Sequence, residues 1–162
     1  MEAYEQLGSD VVVKPLFGAE GRGMLRVDQP DLALRTFRTL ERLNAVLYLQ
    51  RFIRGSGEDL RLLLLDGKLI ASMKRQPKEG DFRANAAQLG TSSPWSPTDA
   101  EVELALHAAI ITGCVFSGVD LMYDEAKNPV VIEVNAVPGW KAIQKTCNVN
   151  VCDAFFAWLE TN

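Results

Sequence analysis

The chain has 162 residues, 48% of them hydrophobic and 23% charged, and 17 basic against 21 acidic side chains give a net charge of −4. That length suits one domain or two small lobes with a real core, and the acidic balance excludes a general attraction to nucleic acid or anionic membranes. No apolar run approaches the roughly 20 residues needed to span a bilayer, and the polar start Met1-Glu2-Ala3-Tyr4-Glu5 does not read as a signal peptide.

In chain order, Val11-Val12-Val13-Lys14 predicts a strand, residues 16–23 a glycine-bearing loop, and Met24-Leu25-Arg26-Val27 a second strand. Pro30 opens a helix to about Leu43, with Leu34, Phe37, Leu40 and Glu41 at helical spacing. Residues 46–53 read as a strand closed by Gly55-Ser56-Gly57. Residues 59–65 and 68–75 follow as a hairpin around Asp66-Gly67, a strong two-residue turn signal. Residues 76–97 form a long aperiodic segment of a kind more often functional than filler. Trp95 within it suits either an acceptor pocket or loop packing. Thr98 caps a helix to about Thr112, with Asp99 and Glu101 in its first turn. Residues 115–123 and 130–135 are strands, Pro138-Gly139 precedes a short helix, and 149–159 is a terminal helix. Hairpins dominate where parallel sheets would need strand–helix–strand crossovers, so the expected class is α+β with mainly antiparallel sheets and flanking helices.

Cys114, Cys147 and Cys152 are odd in number and lack CxxC spacing. Reduced thiols packed as small buried hydrophobes in a cytoplasmic protein are expected. With His107 as its single histidine, lying among alanines and isoleucines of a helix, the chain offers no Ser-His-Asp or Cys-His arrangement.

Asp120, Glu133 and Asn135 form the most informative group. Glu133 and Asn135 are two apart on a strand and share a face, while Val130, Ile132 and Val134 take the other. If residues 124–129 connect the strands, Tyr123 pairs with Val130 and Asp120 with Glu133. Carboxylates directly opposed at roughly 5 Å between Cβ atoms repel each other. A divalent cation removes that penalty, and two carboxylates with an amide oxygen are hard ligands suited to Mg²⁺. A solvated hairpin face is the alternative reading of the same pattern. Phe17-Gly18-Ala19-Glu20-Gly21-Arg22-Gly23 is neither a Walker A loop nor a dinucleotide fingerprint, since no Lys-Ser/Thr and no helix follow it. Its backbone amides, with Lys14 beside them, could close on phosphates. A loose hairpin accounts for the glycines equally.

Taken in order, Val12-Val13-Lys14, the Gly18–Gly23 loop, Leu49-Gln50-Arg51-Phe52-Ile53, Glu58-Asp59-Leu60-Arg61, Lys78-Glu79-Gly80-Asp81-Phe82-Arg83-Ala84-Asn85, Gly118-Val119-Asp120 and Val131-Ile132-Glu133-Val134-Asn135-Ala136-Val137-Pro138-Gly139 resemble the ATP-grasp ligases, and the RimK-like glutamate ligases in particular. The resemblance covers nearly the whole chain. It implies a partial ATP-grasp fold, with an incomplete first lobe over 1–53 carrying the glycine flap and a second lobe over 54–162 carrying the metal site. By resemblance, Lys14 with Gly21 and Gly23 binds ATP phosphates. Gln50, Arg51, Phe52 and Ile53 form the edge that reads adenine, and Asp59 lies near the ribose. Arg83 and Asn85 face the phosphates, with Arg83 catalytic, and Asp120, Glu133 and Asn135 hold Mg²⁺ or Mn²⁺.

The implied chemistry is ATP-dependent joining of an amino acid, glutamate foremost, to a carboxylate through an acyl phosphate. The acceptor would be a protein C-terminus or a small molecule. Arg51 stands where relatives carry an acidic residue, and Trp140 stands where they carry a smaller aliphatic one, which leaves room for a pterin acceptor. Complete members carry a further N-terminal domain. A chain of this extent is therefore expected to bind Mg-ATP weakly, ligate little, and expose an edge open to homo-oligomerisation. A nucleotide-binding module without turnover is the other class the resemblance allows.

Overall fold

Residues 1–16, 21–82 and 90–161 are described by the structure, a computed structural model. Two compact units divide at residue 53, Met1–Ile53 and Arg54–Asn162.

The first unit runs α1 (Glu2–Gln6), β1 (Val11–Lys14), β2 (Leu25–Val27), α2 (Pro30–Arg42) and β3 (Tyr48–Arg51). Its strands form an antiparallel sheet in the order β2-β1-β3. Alternation sends Val11 and Val13 to one face, where they join Val27 and Leu49 against Ala33 and Phe37 of α2 and Tyr4 of α1. Pro30 occupies the first turn of α2, where its missing amide costs nothing. Sequence periodicity did not predict α1. Its five residues are too few to show a period, yet Tyr4 is 1% exposed and meets the Phe37 ring edge-on at 6.1 Å. The third strand is shorter than the expected 46–53, because only residues 48–51 find partners on β1.

The second unit holds β4 (Asp59–Leu65), β5 (Lys68–Gln76), β6 (Thr91–Pro94), α3 (Asp99–Thr112), β7 (Phe116–Tyr123), β8 (Pro129–Asn135), α4 (Lys141–Cys147) and α5 (Val151–Leu159). Its sheet is antiparallel in the order β6-β5-β4-β7-β8. The central strand β4 reads Asp-Leu-Arg-Leu-Leu-Leu-Leu and is buried throughout, because helices cover both faces. On one face Leu60, Leu62, Leu64, Val119 and Leu121 pack on Ala105 and Ala109 of α3. On the other, Leu63, Ala71 and Met73 pack beneath Ile143 of α4 and Val151 of α5. That second apolar patch ends where Asp59, Arg61, Arg75 and Asp120 begin, so one sheet face is half core and half charge. No helix among the described residues is long and apolar enough to cross a membrane.

Four expectations need correction here. Strand β6 lies in the segment read as aperiodic; Thr-Ser-Ser-Pro carries no strand pattern and pairs because β5 offers an open edge. Tyr123 pairs with Pro129 and not with Val130, and a bulge between Asp120 and Leu121 absorbs the extra residue of β8, so Asp120 still faces Glu133. The same bulge changes which valines face the core: Val131, not Val130, joins Val134 against the α3 cluster. Of the cysteines expected to be buried, Cys152 is exposed, while Cys114 and Cys147 are half-buried. Burial raises the Cys147 thiol above its ordinary pKa, and its Sγ lies 3.1 Å from the Ser72 carbonyl it donates to.

Candidate functional site

Within the first unit, the sheet face turned away from α2 collects several of the sequence-predicted residues. Gln50 and Arg26 both pair with Val12, and Lys14 pairs with Tyr48, so Lys14, Tyr48, Gln50 and Arg26 project to the same side. The Lys14 Nζ sits 6.0 Å from the centre of the Tyr48 ring. Asp10 receives a two-pronged hydrogen bond from Arg26, both contacts 2.9 Å, and the Arg26 guanidinium stacks 3.8 Å over the Phe52 ring. The Phe52 backbone N–H donates to the Asp10 carbonyl at 2.9 Å. Arg51 is turned elsewhere: its Nε donates to the Leu7 carbonyl at 3.2 Å, at the C-terminal end of α1. Ile53 is half-buried. Gly21 and Gly23 have φ of 70° and 76°, left-handed values that suit glycine.

Within the second unit, cross-strand pairing places Asp59, Arg61, Arg75, Asp120, Glu133 and Asn135 on one sheet face. Arg61 lies directly opposite Asp120, Arg75 opposite Asp59, Glu133 opposite Asp120, and Asn135 opposite Gly118. The Arg61 guanidinium grips Asp120 with two prongs, Nε to Oδ1 and Nη2 to Oδ2, the latter at 2.7 Å. Arg75 grips Asp59 the same way, at 2.5 and 2.7 Å, and its Nη2 reaches over β4 to Asp120 Oδ2 at 2.9 Å. Asp120 is 2% exposed and Arg61 8%. A buried charge requires an opposite charge and hydrogen bonds, and this alternating chain of two carboxylates and two guanidiniums supplies both.

Burial acts to raise both carboxyl pKa values, and the two groups respond differently. Asp59 is pushed up to about 6, because Arg75 offsets burial only in part and Asp120 adds repulsion. Asp120 is held below the usual carboxylate range because Arg75 and Arg61 together outweigh its burial. Asp120 is therefore the firmly ionised member of the pair.

Neither Arg61 nor Arg75 was assigned a role from the sequence. The available signal was chemical: a strand as apolar as β4 cannot bury Asp59 and Arg61 without partners, and the hairpin brings Arg75 across from Asp59. Gly118 makes room for this arrangement. A Cβ there would lie 2.9 Å from Arg61 Nη1 and 2.9 Å from Pro138 Cβ. Gly118→Ala should therefore displace Arg61 or the Pro138 turn and cost about 1–3 kcal/mol, as overpacking does. Urea melts of both proteins check this, and equal midpoints would show that the pocket has slack.

Glu133 is exposed on the edge strand, and the Asn135 Oδ1 accepts the Val137 N–H at 3.0 Å. Among the described residues no cluster of three or more His, Cys, Asp or Glu side chains is placed to hold a metal ion. Asp120, Glu133 and Asn135 nevertheless fit a hard divalent cation as a partial set of oxygen ligands, of the kind completed by water and phosphate oxygens. Arg83 and Asn85 lie outside the described residues. Trp95 packs against the α3 core, with its Nε1 donating to Glu101 at 3.3 Å and Lys74 lying 5.6 Å from its ring centre.

The two antiparallel sheets with their flanking helices form an ATP-grasp fold. The ATP-grasp ligase PsnB, solved with a phosphomimetic variant of its minimal precursor, Mg and ADP, superposes with a TM-score of 0.71 at 22% identity, over 96% of this chain and 48% of PsnB. D-alanine–D-alanine ligase from Bacillus anthracis does so with a TM-score of 0.71 at 22% identity, over 91% of this chain and 51% of the ligase. The chain belongs to the RimK-like ATP-grasp family, whose domain description matches residues 1–159. A Maridesulfovibrio salexigens protein named "Probable alpha-L-glutamate ligase" is 38% identical over 96% of this chain and 52% of its own length. The ribosomal protein bS6–L-glutamate ligase of Escherichia fergusonii is 34% identical over 94% of this chain and 51% of its own length. The chain thus spans about half the length of the curated relatives it matches.

Proposed function

We propose that this chain is the nucleotide- and metal-binding part of an ATP-dependent carboxylate–amine ligase, with residues 1–53 and 54–162 as two ATP-grasp lobes. L-glutamate is the amino acid joined, as the names of the relatives suggest. The observation that carries the metal half of this reading is the register of β7 and β8, which sets Asp120 opposite Glu133 with Asn135 on the same face. Asp120, Glu133 and Asn135 would hold Mg²⁺ or Mn²⁺, which when bound neutralises phosphate charge and orients the phosphoryl group. Lys14 supplies a fixed positive charge to the phosphates, and Gln50 with the backbone of residues 51–53 reads the adenine. Asp59 lies near the ribose, and Arg83 and Asn85 face the transferred group.

In the reaction, a substrate carboxylate oxygen attacks the γ-phosphorus of ATP and the bond to the β-phosphate oxygen breaks, releasing ADP. The amine nitrogen then attacks the acyl carbon, phosphate leaves, and the nitrogen loses a proton. Positioning and charge neutralisation do most of this work, which suits a site built of fixed cations and carboxylates without a nucleophile. A cytoplasmic setting agrees with the need for ATP.

A ligand that binds only the folded state raises the melting temperature by mass action. Mg-ATP should stabilise the chain, and Glu133→Gln and Lys14→Ala should each shrink that gain. Equal gains in all three proteins would remove both residues from the site. Ligation itself is tested by ADP release that requires both L-glutamate and an acceptor carboxylate. A nucleotide-binding module without turnover is the second reading. It predicts Mg-ATP stabilisation with no substrate-dependent ADP release.

A further inference from the structure

The five ionisable groups on the charged half of the sheet do not make an ordinary divalent-cation site. Asp59 and Asp120 are each matched by a guanidinium, Arg75 and Arg61, and Arg75 bridges the two carboxylates. Glu133 adds the remaining charge, so the group carries one net negative charge and not three. Asp120 is also short of lone pairs. A carboxylate has about four acceptor directions, and three are taken by guanidinium contacts. A bare Mg²⁺ or Mn²⁺ approaching Glu133 would meet the buried Arg61, the largely buried Arg75 and a partly committed carboxylate. Charges held that far from solvent are screened little by water. A cation carried on a polyphosphate brings its own negative charge. Its phosphate oxygens complete the coordination, and the complex meets Arg61 and Arg75 as an anion.

We propose that Arg61 and Arg75 set what the Asp120–Glu133 face accepts: a divalent cation already bound to a polyphosphate, and not the free ion. This rests on the metal reading given above and adds the role of the two arginines to it. Arg61 and Arg75 are positioning residues under this scheme. They hold the Asp120 carboxylate in one orientation and make cation and nucleotide binding mutually dependent, each strengthening the other by the same factor.

Mn²⁺ is the probe, and the longitudinal relaxation of water protons is the readout, because it distinguishes protein-bound Mn²⁺ from free Mn²⁺ and free Mn-ATP. With the unaltered chain, Mn²⁺ alone should bind at least about tenfold more weakly than Mn²⁺ offered with ATP, within the usual span of coupling between sites. Glu133→Gln should weaken the second. Arg61→Gln should raise the affinity for Mn²⁺ alone by about tenfold or more, with a smaller further gain from ATP. Tryptophan fluorescence verifies that the variant is folded, and the comparison within the unaltered chain does not depend on it. If that chain binds Mn²⁺ alone as tightly as with ATP, and Glu133→Gln abolishes both, the metal reading stands and the role given to the arginines is overturned. A folded Arg61→Gln without the gain overturns that role as well. If bound Mn²⁺ is insensitive to Glu133→Gln with and without ATP, both readings fall.

Discussion

Replacing Asp120 by Asn should destabilise the second unit by about 3–5 kcal/mol, the usual penalty for removing one partner of a buried ion pair. The shape of the side chain is preserved, so packing is not the cause. What is lost is the charge that Arg61 and Arg75 share, and both guanidiniums are largely buried, with side chains only 9% and 13% exposed. The Asn amide cannot accept the two-pronged Arg61 contact, because one of its two terminal atoms is now a donor. Glu133→Gln removes an exposed carboxylate on an edge strand and should change stability by no more than about 0.5 kcal/mol. Two members of one proposed ligand set therefore separate by several kcal/mol in stability while both weaken Mg-ATP binding. All three tryptophans, Trp95, Trp140 and Trp158, lie in residues 54–162, so fluorescence in a urea titration follows this unit. Similar midpoints for the two variants would show that the arginines hold no unscreened charge.

The two carboxylates contribute opposite pH dependences. Asp59, pushed up to about 6 chiefly by burial, contributes stability that is present below the unfolded carboxylate pKa and lost as pH rises through about 6. Asp120 does the reverse. Burial acts to raise the Asp120 pKa, but Arg75 and Arg61 together bring it below its ordinary value. The folded state therefore releases this proton more readily than the unfolded chain. The stabilisation is fully present above the unfolded carboxylate pKa of about 4 and is lost as pH falls through the lower folded value.

The parts of the fold that could be read from residues alone were those where one local rule decides the outcome. Asp66-Gly67 set the β4–β5 turn, with Asp66 and Gly67 at φ of 46° and 70°. Thr98 caps α3 as expected, Glu101 completes a capping box beyond that expectation, and Gly113 closes the helix at φ 68°. Elements whose stability comes from elsewhere were invisible. Strand β6 exists because β5 has an open edge, and α1 because Tyr4 fills a place beside Phe37. The acidic hairpin is an intermediate case. Side-chain alternation paired Asp120 with Glu133 correctly, but through a turn one residue out of register that the bulge then compensates. Arg61 and Arg75 needed contacts between residues 59 apart in the chain for Arg61 and Asp120, and 16 apart for Arg75 and Asp59. Only the buried charges of β4 announced that such partners must exist.

Glu101→Ala should cost the second unit about 3 kcal/mol, combining a lost cap worth roughly 1 kcal/mol with two part-buried donors left unmatched at roughly 1 kcal/mol each. Glu101 is 0% exposed although it lies in the first turn of a helix. Its Oε2 accepts the Thr98 N–H at 2.6 Å, the Thr98 hydroxyl at 3.1 Å and the Trp95 Nε1 at 3.3 Å, while its Oε1 accepts the Tyr123 hydroxyl at 2.7 Å. One carboxylate thus ties the start of α3 to the residue after β6 and to the end of β7. Burial, reinforced by the bond to Glu101, raises the Tyr123 pKa, so its hydroxyl remains a donor. Alanine removes all four acceptances and leaves the part-buried Tyr123 and Trp95 donors without the carboxylate they share. Glutamine keeps one oxygen, and Tyr123 can rotate to accept from its amide, so Glu101→Gln should lose about 1 kcal/mol, near the worth of a single hydrogen bond. Asp99 is exposed in the same turn and interacts mainly with the helix dipole, so Asp99→Ala should cost at most about 1 kcal/mol. Urea midpoints for the three variants give the ordering directly. A loss for Glu101→Ala no larger than for Asp99→Ala would mean that Glu101 only caps the helix and does not fasten it to the sheet. Tyr123 lies three residues from Asp120 on β7, so loosening this tie should also reduce the stabilisation by Mg-ATP, with the charged face itself unaltered.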